Sequence, residues 1–157
     1  MSTTGNPKVP PPTREASAML MAPPPATKEE YLQRFAQTWK VLRVGSFPLD
    51  EAKDLERAER SFERGLNPAG VGRQLRAILA SGSRKERLRH VKAPTLVIHG
   101  TVDPLVRPEG GKDTAESIPG AKLLMIEGMG HALPMRFWPE IIGAIDTHAH
   151  GAAARAA

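Results

Sequence analysis

The stretch TLVIHGTVDP, residues 95–104, decides the fold of this 157-residue chain. It begins with a short, almost continuously apolar run that ends at a glycine, which is typical of a strand buried on both faces of a parallel sheet. A second such run, AKLLMI, covers residues 121–126, and a helical stretch from Pro108 to Ser117 separates the two. Because the order is strand, helix, strand, we predict an α/β fold in which the two strands are parallel and joined by a right-handed crossover.

Two polar residues follow these strands. Asp103 lies three residues beyond Gly100, and His131 lies five residues beyond Ile126, after a Gly-Met-Gly turn. Parallel strands leave their loops at the same carboxyl edge, and neighbouring strands are about 4.8 Å apart. We therefore expect the two side chains to meet within about 2.6–3.2 Å. A carboxylate bonded to one ring nitrogen of a histidine orients the ring and stabilises the charge that it gains during proton transfer. The pair is thus a candidate for general-base catalysis.

Each residue also has a structural interpretation. An aspartate before a proline is commonly a turn former, and a histidine after a glycine is commonly a surface residue. Among the other histidines, His99 lies within the first strand and is interpreted as structural. His148 and His150 fall in an alanine-rich tail that is expected to fray. These histidines are too scattered for a metal site, so we predict neither a metal nor a cofactor.

Composition argues against several other classes of function. The chain has a net charge of +5 and no cysteine, so disulfides and thiolate nucleophiles are excluded. No apolar run approaches the roughly 20 residues that span a bilayer, and the start has no apolar signal region. We therefore expect a soluble, cytoplasmic protein that does not bind membranes. The basic cluster within residues 84–92 has no interleaved aromatic side chain to stack on bases, so nucleic-acid binding is not predicted.

Three helices are predicted over residues 27–82. The first begins at a capping box formed by Thr27 and Glu30. One face of this helix is apolar and carries Tyr31, Leu32, Phe35, Trp39 and Leu42. The second helix is expected to direct Leu55 and Phe62 toward a core. The third has apolar residues at helical spacing, namely Val71, Leu75, Ile78 and Leu79.

The segment APTLVIHGTVDPLVRPEGGKDTAESIPGAKLLMIEGMGHALP, residues 93–134, resembles the C-terminal part of the α/β-hydrolase fold. In that family the strand P-T-L-V-I-H-G leads to a loop with the triad acid, and the next strand leads to G-x-G-H with the triad histidine. The resemblance covers residues 91–145 and implies that Asp103 is the acid and His131 the catalytic histidine. The proline-rich start and PAGVGRQLRAILASG, residues 68–82, resemble more narrowly the small-molecule esterases of the anthracycline methylesterase type.

The same resemblance implies a domain organisation. Residues 1–90 form a proline-rich start, predicted to be a loop with a single helical turn, and then a helical segment that resembles the cap, or lid, of the family. Residues 91–150 form the C-terminal part of the hydrolase core, in which a last helix is expected from Met135 to His148. Residues 151–157 are expected to be a disordered tail.

The nucleophile of the family is missing from this sequence. In the family a serine lies in G-x-S-x-G on a strand–helix turn, and no serine here has a glycine two positions before it. The stretch GKDTA, residues 111–115, lacks the second glycine of an aspartate-nucleophile motif. A full hydrolase of this fold has about eight strands over roughly 250 residues or more. With two predicted strands, this chain resembles the C-terminal half of an enzyme.

Two hypotheses of function follow. The first is hydrolysis of small-molecule esters by serine acyl transfer, with the nucleophile on sequence outside this chain, so that the chain alone is a truncated or inactive form. The second is a non-catalytic, hydrolase-derived module that binds a partner. Under either hypothesis the uncovered strand edge from Thr95 to Ile98 is expected to favour self-association.

Overall fold

The computed structural model describes residues 4–44 and 51–156. The helices before the sheet are α1 (Arg14–Met21), α2 (Lys28–Arg43), α3 (Glu51–Glu63), α4 (Pro68–Ala80) and α5 (Lys85–Leu88). The sheet unit consists of β1 (Leu96–Gly100), α6 (Pro108–Ser117), β2 (Lys122–Ile126), a 3₁₀ turn (Met135–Phe137) and α7 (Trp138–Ala156). Among these residues, no helix is both long and apolar enough to cross a membrane.

The strands β1 and β2 pair in parallel, which confirms the α/β prediction. The register places Leu96 opposite Lys122 and Gly100 opposite Ile126. The connecting helix α6 packs against β1. As a result, the loops that follow the two strands leave the sheet at the same level.

Burial is concentrated at the carboxyl ends of the strands. His99, Gly100 and Ile126 are buried, whereas Leu96–Ile98 are only partly buried and Leu123 is 39% exposed. The prediction that β1 is buried on both faces is therefore wrong for its first half. Within the described residues β1 has a strand on one side only, so less of its length is covered than in a wide parallel sheet.

The apolar core lies next to these strand ends. Its buried members come from β2, the loop after it, the 3₁₀ turn and the start of α7, namely Ile126, Met129, Phe137 and Ile141. Ile98 and Leu124 pack against them. The core therefore stabilises the same edge of the sheet from which the two loops leave.

The proline-rich start contains a helix of eight residues, α1, where the sequence predicts a single turn. Thr13 caps this helix, because its Oγ1 accepts the amide of Ala16 at 3.2 Å. The amide of Thr13 donates to the carbonyl of Pro104 at 2.8 Å, which attaches the segment to the loop after β1. The proline triplets lie outside the helix on both sides, so they limit its length without interrupting it.

Helices α2 and α3 form a packed pair. Thr27 caps α2 as predicted and accepts the amide of Glu30 at 3.1 Å. The carboxylate of Glu30 reaches back, but it accepts the amide of Ala26 at 2.8 Å, one residue earlier than in the predicted capping box. The rings of Tyr31 and Phe62 lie 5.5 Å apart, so the aromatic face of α2 packs on α3.

Several apolar residues on the predicted helices are exposed. Leu55 of α3 is 50% exposed. On α4, exposure exceeds one half for Val71, Ile78 and Leu79. The 3.6-residue period identifies the apolar face of a helix, but it does not show whether another element covers that face. The prediction that Leu55 points toward a core is therefore wrong, and the apolar face of α4 is largely exposed although its spacing is helical.

A buried carboxylate attaches the N-terminal segment to the sheet unit. Asp113 of α6 is 8% exposed and accepts hydrogen bonds from Thr4, Asn6 and Lys85. Burial acts to raise the pKa of Asp113, but these donors together outweigh it and hold the pKa below its usual value. Lys85 belongs to the basic cluster, so part of that cluster is used in an internal ion pair.

The last helix is longer than the sequence predicts. It continues to Ala156, so the tail expected to be disordered over residues 151–157 is helical up to that residue. Alanine has the highest intrinsic helix propensity, which favours this extension. His148 and His150 lie on α7 rather than in a frayed tail, and His150 Nδ1 lies 3.0 Å from the carbonyl oxygen of Asp146.

Gly100 ends β1 where the backbone of the next loop passes close to it. A Cβ at this position would overlap the carbonyl oxygen of Met129, and a backbone atom cannot move aside as a flexible side chain can. We expect Gly100→Ala to lower the free energy of unfolding by about 2–4 kcal/mol, measured by urea denaturation.

Gly143→Ala in α7 is the matched control, since a Cβ there meets no atom within 4 Å. It is expected to be neutral or to stabilise the chain by up to about 1 kcal/mol. Similar unfolding free energies for the two variants would contradict the close packing at the end of β1.

Candidate active site

Asp103 is held by the loop that follows β1. Its side chain is 2% exposed, and Oδ1 accepts the amides of Leu105 and Val106, each at 2.9 Å. In such a turn an aspartate satisfies the backbone of its own loop. The interpretation of Asp103 as a turn former is therefore correct for Oδ1, while Oδ2 is left for another donor.

His131 follows β2 on a loop that is hydrogen-bonded to the loop after β1. Gly128 has a φ of 70°, in the left-handed region that glycine adopts without strain. Its amide donates to Thr101 Oγ1 at 2.9 Å. The carbonyl of Met129 accepts the amide of Val102 at 3.2 Å. These two contacts hold the loops in a defined relative position.

The structure brings the two predicted site residues together. His131 Nδ1 lies 2.8 Å from Asp103 Oδ2, within the predicted range. Because an ionised carboxylate only accepts hydrogen bonds, Nδ1 carries the hydrogen, and Nε2 of the neutral ring keeps a lone pair. The predicted contact is confirmed, whereas the catalytic role of the two residues stays a prediction.

The surroundings of Asp103 favour its ionised form. Burial is the largest single influence and acts to raise the pKa of Asp103. The hydrogen bonds from His131, Val106 and Leu105, with the charge attraction of His131, together outweigh burial, so the pKa lies below its usual value of 3.8. A carboxylate that stays charged beside the ring can stabilise an imidazolium.

His99 lies beside this pair but bonds elsewhere. It is 7% exposed, and its Nε2 lies 2.8 Å from the carbonyl oxygen of Val106. The distance from Nε2 to Asp103 Oδ2 is 3.7 Å, beyond a hydrogen bond. These contacts agree with the structural interpretation of His99.

The loop of His131 also contacts α2, which the sequence reasoning missed. The amide of His131 donates to the carbonyl of Leu42 at 2.7 Å. A Cβ on Gly130 would overlap the same carbonyl oxygen, so glycine permits the close approach of two backbones. The Gly-Met-Gly turn was a visible sign of a tight backbone, but nothing in the sequence identifies α2 as its neighbour.

A cavity of about 860 Å³ opens beside the imidazole. One part of its wall is apolar and includes Met129, Trp138 and Ile141, and another part carries Arg43 and Asp54. A volume of this order is typical of sites for small molecules. The acid–histidine pair therefore lies at a space that a small substrate could enter.

Neither a metal-binding group nor a serine partner of His131 is found among the described residues. Within residues 4–44 and 51–156, no group of three or more His, Asp or Glu side chains could hold a metal ion. In the same ranges no serine bonds to His131, and the hydroxyls of Ser81 and Ser117 donate to backbone carbonyls instead. This part of the chain thus presents the Asp103–His131 pair without a serine hydroxyl bonded to it.

The lowered pKa of Asp103 predicts a pH dependence of stability. Because the pKa is lower in the folded chain, ionised Asp103 contributes stability that is present above the unfolded-state pKa and is lost as the pH falls through the folded-state value. We expect Asp103→Asn to lower the melting temperature at neutral pH and to weaken its decline below about pH 4, measured by calorimetry across pH. Asp146→Asn, at an exposed aspartate of α7, is the control. It should change neither the melting temperature at neutral pH nor the decline of the melting temperature in acid. An equally steep acid decline in Asp103→Asn would contradict this assignment.

The chain is similar in sequence to known proteins. A family model described as TAP-like protein, of the abhydrolase type, matches residues 78–136. The rhodomycin D methylesterases of Streptomyces sp. (strain C5) and Streptomyces peucetius are 30% identical over 141 residues and 32% identical over 135 residues. Each match covers 85% of this chain and 45% of the relative, so the chain spans about half the length of the curated relatives that it matches.

Solved structures show the same fold. An esterase from Rhodococcus sp. ECU1013 matches with a TM-score of 0.57 at 24% identity, over 91% of this chain and 50% of that one. A 2-hydroxy-6-oxo-6-phenylhexa-2,4-dienoate hydrolase from Rhodococcus sp. strain RHA1 matches with a TM-score of 0.62 at 16% identity, over 93% of this chain and 53% of that one. The chain therefore has the fold of the C-terminal portion of the α/β-hydrolases and resembles the esterases among them.

Proposed function

We propose that this chain supplies the acid and the base of a serine-type hydrolase that cleaves small-molecule esters by acyl transfer. The observation that carries the proposal is the 2.8 Å hydrogen bond between His131 Nδ1 and Asp103 Oδ2 beside the cavity. The similarity to two rhodomycin D methylesterases supports an ester substrate. The apolar part of the cavity wall supports a substrate with an apolar body.

In this proposal His131 is first a general base and then a general acid. Its Nε2 takes the proton of a hydroxyl nucleophile while the hydroxyl oxygen bonds to the ester carbonyl carbon. The same nitrogen gives that proton to the oxygen of the leaving alcohol as the carbon–oxygen bond breaks. A water molecule then repeats both steps and releases the acid. Asp103 stays ionised and holds the ring through Nδ1.

The nucleophile and the oxyanion-hole donors come from outside this chain. No serine among the 157 residues lies in a G-x-S-x-G motif. We infer that the chain on its own is an inactive form, completed by a nucleophile-bearing segment in the same polypeptide or in another one. Helices α2, α3 and α4 form the cap of the completed site in this proposal, a role supported for α2 by Arg43 and for α3 by Asp54 in the cavity wall.

The chain alone is expected to hydrolyse p-nitrophenyl acetate no faster than its His131→Ala variant, because a base without a nucleophile leaves little acceleration. A fusion to the part of the Streptomyces peucetius methylesterase that lies outside the matched region is expected to turn over esters. His131→Ala should lower the kcat of this fusion by about a thousandfold or more. Initial rates with the ester, and labelling by a serine-directed phosphonate, measure these outcomes.

His150→Ala is the matched control, since His150 is exposed and contacts only its own helix α7. It should leave turnover of the fusion unchanged. If the isolated chain shows a rate that depends on His131, together with a trapped serine adduct, a serine of this chain is the nucleophile and the proposal that it lies elsewhere is wrong.

A non-catalytic binding module is the second candidate, and the edge of β1 favours it. Within the described residues β1 pairs with β2 alone, and Leu96–Ile98 are partly exposed. The edge from Thr95 to Ile98 contains no proline or charged residue, the usual features that block strand pairing. In this alternative the edge accepts a strand from a partner or from a second copy.

We expect the isolated chain to self-associate as its concentration is raised, because the edge of β1 is uncovered and two strands with their helices bury little apolar surface. A separately added nucleophile-bearing segment should suppress this behaviour by covering the edge of β1. Sedimentation velocity, calorimetry and amide exchange provide the measurements. A monodisperse monomer with cooperative melting and slow exchange of the Leu96–Ile98 amides would rule out an accessible edge.

A further inference from the structure

The C-terminal turn of α2, residues 42–44, contacts the loop that carries the candidate base. The carbonyl of Leu42 accepts the amide of His131 at 2.7 Å. Gly130 passes so close that a Cβ there would overlap the Leu42 oxygen and would lie 3.1 Å from the carbonyl carbon of Arg43. Any displacement of this turn therefore moves the backbone that carries the imidazole.

The same turn has an unfavourable backbone conformation. Val44, the C-cap of α2, has φ 53° and ψ 45°, in the left-handed region. It is the one non-glycine residue with positive φ in the described part of the chain. β-Branched residues are rare in this region because Cβ approaches the backbone, and such conformations persist only where surrounding contacts hold them. The turn therefore needs an external restraint.

An ion pair attaches the turn to α3. Both terminal nitrogens of the Arg43 guanidinium contact the carboxylate of Asp54, and Nη2 lies 2.6 Å from Oδ1. The two side chains are 14% and 13% exposed, so water screens the pair only partly. A bidentate contact fixes the orientation of the guanidinium as well as its distance. The Arg43 guanidinium also lies 5.4 Å from the ring centroid of Trp39, on the previous turn of α2.

We propose that Arg43 is a positioning residue, which through its ion pair with Asp54 holds the α2 turn whose Leu42 carbonyl fixes the His131 loop. The relevance of this coupling to catalysis rests on the proposed function, but the coupling itself does not. Arg43 lines the same cavity as His131. A ligand in that cavity thus lies against both the base and the residue that positions it.

Nuclear magnetic resonance on the full chain tests the coupling without turnover. In dilute, 15N-histidine-labelled protein, the His131 amide reports the Leu42 contact and its ring Nδ1 proton reports the Asp103 contact. We expect Arg43→Gln to speed exchange of the His131 amide by about tenfold or more, because loss of the restraint favours local opening of the loop, and to shift or broaden the Nδ1 proton signal. The amide of His99, in β1, is the internal reference and should change less.

Arg60→Gln is the matched control, since Arg60 lies on α3 and pairs with Glu56 through exposed side chains. It should change none of these signals. The double variant Arg43→Asp/Asp54→Arg re-forms the pair with exchanged charges and is expected to restore slow exchange at His131, a rescue that a general loss of stability would not produce.

Arg43→Lys keeps the charge without the bidentate contact and should give an intermediate exchange rate. If Arg43→Gln does not fold, Arg43→Lys serves as the test of whether Arg43 restrains the His131 loop. The proposal is wrong if Arg43→Gln and Arg43→Lys leave the His131 amide exchange and Nδ1 signal unchanged. It is also wrong if they speed exchange of the His99 amide as much as that of His131. These exchange measurements do not depend on ester turnover, and an inactive fusion would not alter them. The positioning role of Arg43 and the proposed hydrolase function can therefore be refuted independently.

Discussion

The parallel pairing of β1 with β2 determines where the two candidate catalytic residues lie. Gly100 is opposite Ile126, so both strands end at the same level and their loops start from adjacent points. A change of register by one residue would displace one loop along the strand by about 3.3 Å. That displacement exceeds the tolerance of the 2.8 Å contact between His131 and Asp103. The crowded strand ends, where Gly100 meets the Met129 backbone, leave no room for it.

Much of this arrangement could be predicted from the sequence because its signals are local. Apolar runs indicate the strands, their order indicates parallel pairing, and the loop lengths after Gly100 and Ile126 bring Asp103 and His131 to one edge. Burial was harder to predict, since the helical period marks an apolar face without showing what covers it. Leu55 and Val71 lie on such apolar faces and are exposed in the structure.

The contact between α2 and the His131 loop could not be predicted at all. It joins two backbone groups, the Leu42 carbonyl and the His131 amide, and backbone groups are the same at every non-proline residue. Only Gly130 indicated that the backbone of this loop is constrained. A glycine in a sequence can mark either a sharp bend or the close approach of a neighbouring segment. Gly128, with φ 70°, provides the bend, whereas Gly130 makes room for α2. One short motif therefore serves two different physical requirements.

The position of the acid–histidine pair does not depend on a nucleophile. A buried carboxylate is costly unless donors surround it, and Asp103 receives two amides on Oδ1 and His131 on Oδ2. These bonds form within this chain, so the carboxylate is stabilised and the ring is oriented before any substrate or hydroxyl arrives. Preorganised groups need little rearrangement during the reaction. Under the proposed function, a completing segment would therefore have to supply a hydroxyl near Nε2 and donors for the oxyanion, because the contact that orients the ring is already formed within this chain.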